Sequence, residues 1–205
     1  MLKYILTAKC YNDCPYCITS KLRDFRESDS LVRILSVLRS MRIDGHSAVM
    51  LTGGEPTLHP LFFMITGAAR AIFDQVHLAT SNSGILDSPA AGQFSSIVLS
   101  IHDSLYEIPS ALHCKTKVYG GVMAHRLQPA LIDRLYSKGF SGLTINEDHR
   151  GGGKTLPGSL VAQIDRDIKA MSERFSLKIN RVGACMNETF IMPDLTIETD
   201  FTKYL

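Results

Sequence analysis

Along this chain, short apolar runs of strand length alternate with longer stretches in which apolar residues repeat at helical spacing. The short runs fall at 3–8 (KYILTA), 46–52 (HSAVMLT), 75–80 (QVHLAT), 96–102 (SIVLSIH), 116–122 (TKVYGGV) and 142–146 (GLTIN). Between the first two, Leu31, Ile34, Leu35, Leu38 and Met41 share a helical face behind two cap residues, Ser28 and Ser30. Pro60 opens a second helical run through Leu61, Ile65, Ala68 and Ile72. Further helices fit Pro129 to Lys138, stopped by Gly139, and the run Leu160, Ile164, Ile168, Met171 and Phe175. The connectors after the third and fourth strands are short.

Strands alternating with helices predict a parallel sheet. A closed eight-unit barrel takes about 250 residues, and six units can be counted in these 205. The expected fold class is therefore α/β, a partial (β/α)6 TIM-like barrel with its core at about 3–175. The rest, about 176–205, is expected to be an extension in which ETFIMPDLTIET reads as a β-hairpin turning at Pro193 and Asp194, capping the barrel or pairing with its edge. No linker rich in Pro, Gly or Ser divides the chain, so residues 1–205 are expected to form a single domain, with Gly151 to Gly153 as a mobile loop.

Composition narrows the function. A hydrophobic share of 45% and a charged share of 20% are those of a globular protein with its own core. The 22 basic and 20 acidic residues are mixed along the chain, and small clusters such as Lys21, Arg23 and Arg26 do not make a face for duplex nucleic acid. No apolar run approaches the roughly 20 residues of a membrane span, and MLKYILTAKC lacks the apolar core and cleavage site of a signal peptide, so a cytoplasmic protein with no membrane partner is expected. Three of the five cysteines crowd into positions 10–17, which suits reduced thiols with a metal task better than a disulfide framework.

In parallel βα folds the working residues collect on the loops after the carboxyl ends of the strands. Here those loops read CYNDCPYC, GGEP, SNSG, SIHD, MAHR and NEDHRGGG in order, so all six converge on one mouth. Cys10, Cys14 and Cys17 have the CxxxCxxC spacing of thiolates that wrap one corner of a cuboidal iron–sulfur cluster and leave a fourth iron open. A zinc knot is a second reading, weakened because Cys114 and Cys185 are distant and unpaired as further ligands. A redox pair, Cys14-Pro-Tyr-Cys17, is a third.

With the second motif added, LTAKCYNDCPYC followed by LTGGEPTLHP resembles the radical S-adenosylmethionine (radical SAM) superfamily over about residues 3–146. That resemblance implies one [4Fe-4S] cluster on Cys10, Cys14 and Cys17, with the amino and carboxylate groups of SAM on the open iron. Gly53, Gly54, Glu55 and Pro56 match the family segment beside the methionyl amino group, where the backbone must come close. Ser81, Asn82, Ser100 and His102 match the variable strand-end residues that hold ribose and carboxylate, and Tyr16 is implied to lie beside the adenine. The implied reaction passes an electron from the cluster to the sulfonium, breaks a carbon–sulfur bond and lets a 5′-deoxyadenosyl radical take a substrate hydrogen. An electron donor such as flavodoxin or ferredoxin is implied with it.

The substrate is less determined. His125, Arg126, Asn146, Glu147, His149 and Arg150 ring the far side of the mouth and suit a polar small molecule, a nucleotide or a peptide. DHRGGGKT (148–155) is a near-match to a phosphate-binding loop, but Asp148 replaces its first glycine and would repel phosphate, so a glycine-rich lid fits better. Cys114 and Cys185 are too few for a second cluster. Thr19 resembles the magnesium-binding threonine of 7-carboxy-7-deazaguanine synthases, glycyl-radical-enzyme activases are similarly compact, and ACMNETFIMPDLTIE resembles the start of cysteine-rich extensions in peptide-modifying members without their later cysteines. The competing class is a non-enzymatic zinc- or iron–sulfur-binding scaffold or sensor.

Overall fold

The computed structural model describes residues 1–14, 17, 19, 22, 25–102, 112, 114–123, 129–146, 159, 162–164, 166, 176–180 and 188–199. Their architecture is a nine-stranded sheet with helices. In chain order the strands are β1 (Leu2–Ile5), β2 (Ala48–Thr52), β3 (Gln75–Thr80), β4 (Ser96–Ser100), β5 (Lys117–Met123), β6 (Gly142–Asn146), β7 (Ser176–Asn180), β8 (Thr189–Ile191) and β9 (Ile197–Glu198). They lie side by side as β7-β6-β5-β4-β3-β2-β1-β8-β9, and the sheet does not close. Every pairing is parallel except β8 with β9.

The six expected strands are present, and the α/β partial barrel with them. Two further parallel strands correct the count. SLKIN forms β7 beside β6, with Gly142 opposite Ser176, whereas the sequence pattern places it at the start of the extension. The expected hairpin exists as β8 and β9, but its first strand lies parallel to β1, with Leu2 opposite Thr189 and Tyr4 opposite Ile191. The chain's first strand is thus internal, and the extension completes the sheet at β1's otherwise unpaired edge. The turn itself is tied by the Asp194 carboxylate, which accepts from the Thr196 amide at 3.1 Å.

Helices α1 (Leu31–Ile43), α2 (Phe62–Ile72) and α3 (Pro129–Ser137) follow β1, β2 and β5. Of the two serines offered as caps, Ser30 is the cap of α1: its hydroxyl accepts from the Arg33 amide, while Ser28 Oγ accepts from the Ser30 amide. The second helix begins two residues after Pro60, and it is Pro56 that opens the preceding 3-10 turn, Pro56–Leu58. Residues 159, 162–164 and 166 are helical, as the fourth pattern requires, and Ile164 is buried; Leu160, Ile168, Met171 and Phe175 lie outside the described residues. Two 3-10 turns, Ser83–Asp87 and Pro89–Gln93, make the short connector between β3 and β4.

Period-two alternation splits each strand between two environments. Leu2, Tyr4, Val49, Leu51, Leu78 and Leu99 point to one face and pack with Ile34, Leu38, Phe62 and Ile65 of the helices in one continuous core. Where α3 crosses β5 the Leu135 side chain would meet a Cβ on Gly120 at 2.7 Å, so the glycine lets that helix seat. Lys3, Met50, His77, Ser96 and Tyr119 point to the other face and line a cavity. A second apolar cluster joins Ile5, Phe190 and Met192 to Leu22, beyond the cysteines, so the C-terminal hairpin supports the cysteine segment. The Ser28 amide adds a 2.9 Å hydrogen bond to the Pro193 carbonyl.

Candidate metal centre

The cysteine segment leaves β1 at its carboxyl end and is held there by the loop that leaves β2. Gly54 N donates to Thr7 O and Glu55 N to Lys9 O, both at 2.8 Å. The two chain segments are so close that a Cβ on Gly53 would lie 2.5 Å from Thr7 O, and one on Gly54 only 2.3 Å from Lys9 O. Gly53 also has φ +152°, which side chains rarely adopt. The glycine pair therefore has a structural cause that the sequence alone did not reveal: it seats the root of the cysteine loop, one residue before Cys10.

Glu55 completes the joint. Its side chain is fully buried, with 0% exposure. Oε1 accepts from Thr57 N at 3.1 Å, Thr57 Oγ1 at 2.7 Å and Thr80 Oγ1 at 2.7 Å; Oε2 accepts from Ser81 N and Ser81 Oγ, both at 2.8 Å. One carboxylate thereby caps the 3-10 turn after β2 and binds the end of β3 to it. From Ser81 the network reaches the cysteine loop, because Asn12 Nδ2 donates to Ser81 Oγ at 3.1 Å and the Tyr11 hydroxyl lies 3.2 Å from the same oxygen.

Cys10, Cys14, Cys17, Gly53, Gly54, Ser81, Ser100, His102 and Asn146 all line the same cavity of about 600 Å³. Residues singled out in sequence on the loops after β1 to β4 are thus brought to one place by a parallel sheet. Glu55, Pro56 and Asn82 stand behind its wall: Pro56 is buried, while Asn82 Oδ1 accepts from Gly84 N at 3.1 Å and Asn82 Nδ2 donates to Thr57 Oγ1 at 3.2 Å. Tyr16, His125, Arg126, Glu147, His149, Arg150, Cys185 and the Gly151 to Lys154 loop lie outside the described residues. Cys114 is half-buried and packs against the main core, as a structural thiol does.

A second cavity, of about 690 Å³, is lined by the same three cysteines together with Lys9, Asp13, Arg26, Glu27 and Asp29. The cysteines therefore line both a sheet-lined space and a charged one. Burial beside Cys17 and Glu55 holds the Cys10 thiol above its ordinary range, opposed by the Asn12 amide, which lies 3.3 Å from the sulfur. A cationic metal group at the thiols would reverse that balance.

The donor set can be tested against the group that its spacing implies. Three thiols with no carboxylate among them are soft ligands suited to iron–sulfur or zinc. Around one zinc ion, sulfurs at about 2.3 Å from the metal are crowded together. Among the described residues no three histidine, cysteine or acidic side chains converge closely enough to hold a single ion. The three cysteines line one cavity, and their soft sulfur donors suit a cluster in which each would take its own iron.

Sequence reasoning missed Asn12, Thr57, Thr80 and His59. Asn12 sat in view inside the cysteine motif, and Thr57 two residues after a buried acid, a recurrent capping position. His59 is 2% exposed; its Nδ1 accepts from Leu61 N at 3.1 Å and its Nε2 lies 3.2 Å from Ser28 O, so it ties the β2 loop to the entrance of α1. Nothing local marks that role.

Residues 4–95 match the model of the radical SAM superfamily. Among solved structures the chain is similar to SuiB of Streptococcus suis bound to S-adenosylmethionine, at a TM-score of 0.75 and 13% identity, covering 97% of this chain and 59% of that one. It is also similar to SuiB bound to the precursor peptide SuiA, at a TM-score of 0.75 and 12% identity, covering 98% and 59%. The chain thus spans under two thirds of SuiB's length, and at such identity the likeness is one of fold. No curated protein matches the sequence. Among the described residues no helix is long and apolar enough to cross a membrane.

Proposed function

We propose that this protein is a radical SAM enzyme that holds a [4Fe-4S] cluster on Cys10, Cys14 and Cys17 and binds SAM in the sheet-lined cavity. The observation that carries the proposal is the placement of all three thiols in the wall of one cavity whose remaining rim is built from polar strand ends. When bound, the reduced cluster and SAM supply a 5′-deoxyadenosyl radical that removes a hydrogen atom from the substrate. The protein's own task is orientation. Gly53 and Gly54 seat the cysteine loop against the β2 turn, Ser100 offers a hydroxyl at the cavity wall, and the apolar Ile5, Ala79 and Val98 keep water from the interior. An external one-electron donor such as flavodoxin or ferredoxin supplies the electron.

For the substrate, the structural likeness to peptide-bound SuiB favours a peptide over a free small molecule or nucleotide. Tyr119, Thr144 and Asn146 on the far side of the cavity are the described groups placed to meet it.

The test is anaerobic. The reconstituted protein is reduced with dithionite, given SAM and assayed for 5′-deoxyadenosine; the product is expected, together with iron and sulfide for one cluster per chain. Cys14→Ala should abolish both. A protein that binds zinc or a cluster and forms no 5′-deoxyadenosine is the scaffold or sensor of the competing reading.

A further inference from the structure

Each of the three thiols has its own hydrogen-bond partner, and the three partners come from different places. Cys10 Sγ faces the backbone amide of Asn12 at 3.3 Å, Cys17 Sγ faces Thr19 Oγ1 at 2.8 Å, and Cys14 Sγ faces His102 Nδ1 at 3.3 Å. The first partner is main chain and costs the sequence nothing. The other two are side-chain choices. Thr19 is only 8% exposed, with its hydroxyl held on Cys17, and His102 reaches Cys14 from the end of β4, 88 residues away.

We propose that Thr19 and His102 are positioning residues that donate hydrogen bonds to the cluster's ligand sulfurs and thereby set its reduction potential. The inference rests on the cluster reading and goes beyond it in naming what tunes the cluster. A thiolate bound to iron carries no proton and can only accept, so the Thr19 hydroxyl and the His102 Nδ1–H are the donors. Reduction adds one electron and makes no new bond. The added negative charge is shared with the thiolates, so a donor at sulfur stabilises the reduced state more than the oxidised one and raises the potential. Partial burial strengthens the effect, since less water competes for the sulfur.

The two donors also do different mechanical work. Thr19 lies two residues from its cysteine and moves with the loop. His102 belongs to the sheet side, following Ser100 of β4, so it fixes the middle of the loop to the frame. Together with the Gly54 and Glu55 amides at the loop's root, it leaves Cys14 pinned from the sheet and Cys10 pinned from β2.

The experiment is an anaerobic redox titration of the reconstituted protein without SAM, monitored by the EPR signal of the reduced cluster. Thr19→Val and His102→Phe remove a donor with little change of volume. Each is expected to shift the midpoint to more negative potential, and the double variant further. Thr19→Ser and His102→Asn restore a donor at the same site and are expected to return it towards wild type. In the wild-type protein, proton ENDOR of the reduced cluster should show exchangeable protons in H2O that vanish in D2O, and Thr19→Val should lack one of them. Variants loaded with a full cluster whose midpoint equals that of wild type overturn the inference while leaving the cluster reading intact. Should the Val and Phe variants fail to load, the wild-type spectrum decides: exchangeable couplings beyond the one that the Asn12 amide supplies support the inference, and that single coupling alone overturns it. A wild-type protein that forms no cluster overturns both readings together, and is recognised by its absorption spectrum.

Discussion

Replacing Glu55 by Gln exchanges a single carboxylate oxygen for an NH2 group at the most heavily bonded side chain of the site. Oε1 and Oε2 together accept five hydrogen bonds, two of them from backbone amides. Glutamine keeps the size and one acceptor oxygen but must place its NH2 where the other oxygen was. If the oxygen stays with Thr57 and Thr80, the new amide faces the Ser81 N–H, donor against donor, while Ser81 Oγ can rotate to accept. One backbone amide then loses its partner, which costs about 1–3 kcal/mol, and the remaining bonds lose their charge assistance, worth about 1 kcal/mol more. A total of roughly 2–4 kcal/mol converts, for a chain of this size, to a fall in Tm of roughly 5–15 °C. The assay is thermal unfolding of the cluster-free protein, with neither SAM nor iron present. If Glu55 served only the cofactor, the cluster-free Tm would not move; a change under about 1 °C would refute its role as the joint between β2, β3 and the turn.

Further predictions concern other parts of the frame. Gly54→Ala pushes a methyl to 2.3 Å from Lys9 O, and such overpacking costs about 1–3 kcal/mol; reduced iron incorporation after reconstitution should accompany a lower Tm, and unchanged loading would count against the glycine's seating role. Burial holds His59 below the ordinary histidine range, with Glu27 and the Ser28 carbonyl opposing only in part. The unfolded chain therefore takes a proton near pH 6.5 that the folded one resists, so His59 favours the fold above that pH and withdraws its support as pH falls. Urea midpoints from about pH 7.5 to about 5.5 should drop more in wild type than in His59→Gln, and parallel curves would refute it. Tyr4 is 1% exposed, its hydroxyl has no hydrogen-bond partner among the described residues, and burial pushes that hydroxyl well above the usual tyrosine range. Tyr4→Phe should consequently hold or raise Tm, since the orphaned group costs about 1–3 kcal/mol; a marked loss would show that the hydroxyl has a partner.

The strands were legible because each is written locally. QVHLAT is Gln75–Thr80 in both readings, and GLTIN is Gly142–Asn146. SLKIN was not, because five residues after a helical pattern look the same whether they continue the chain as loop or pair beside β6, and the pairing partner is 34 positions away. The hairpin was legible from Pro193 and Asp194, yet the slot it fills beside β1 depends on an edge at the opposite end of the sequence.

By itself the sequence determined the cysteine spacing, the glycine pair and the alternation of strand and helix, since each is a property of neighbouring residues. Through the parallel rule it also determined that the loops after the strands would meet. Only the tertiary structure decided what the gathered residues do. Gly53 and Gly54 proved to hold the root of the cysteine loop, Glu55 turned inward to bind three elements, and His102 came within hydrogen-bond distance of Cys14. Those relations depend on register between strands and on which face each side chain takes, and register is a sum of contacts over the whole sheet rather than a feature of any one segment.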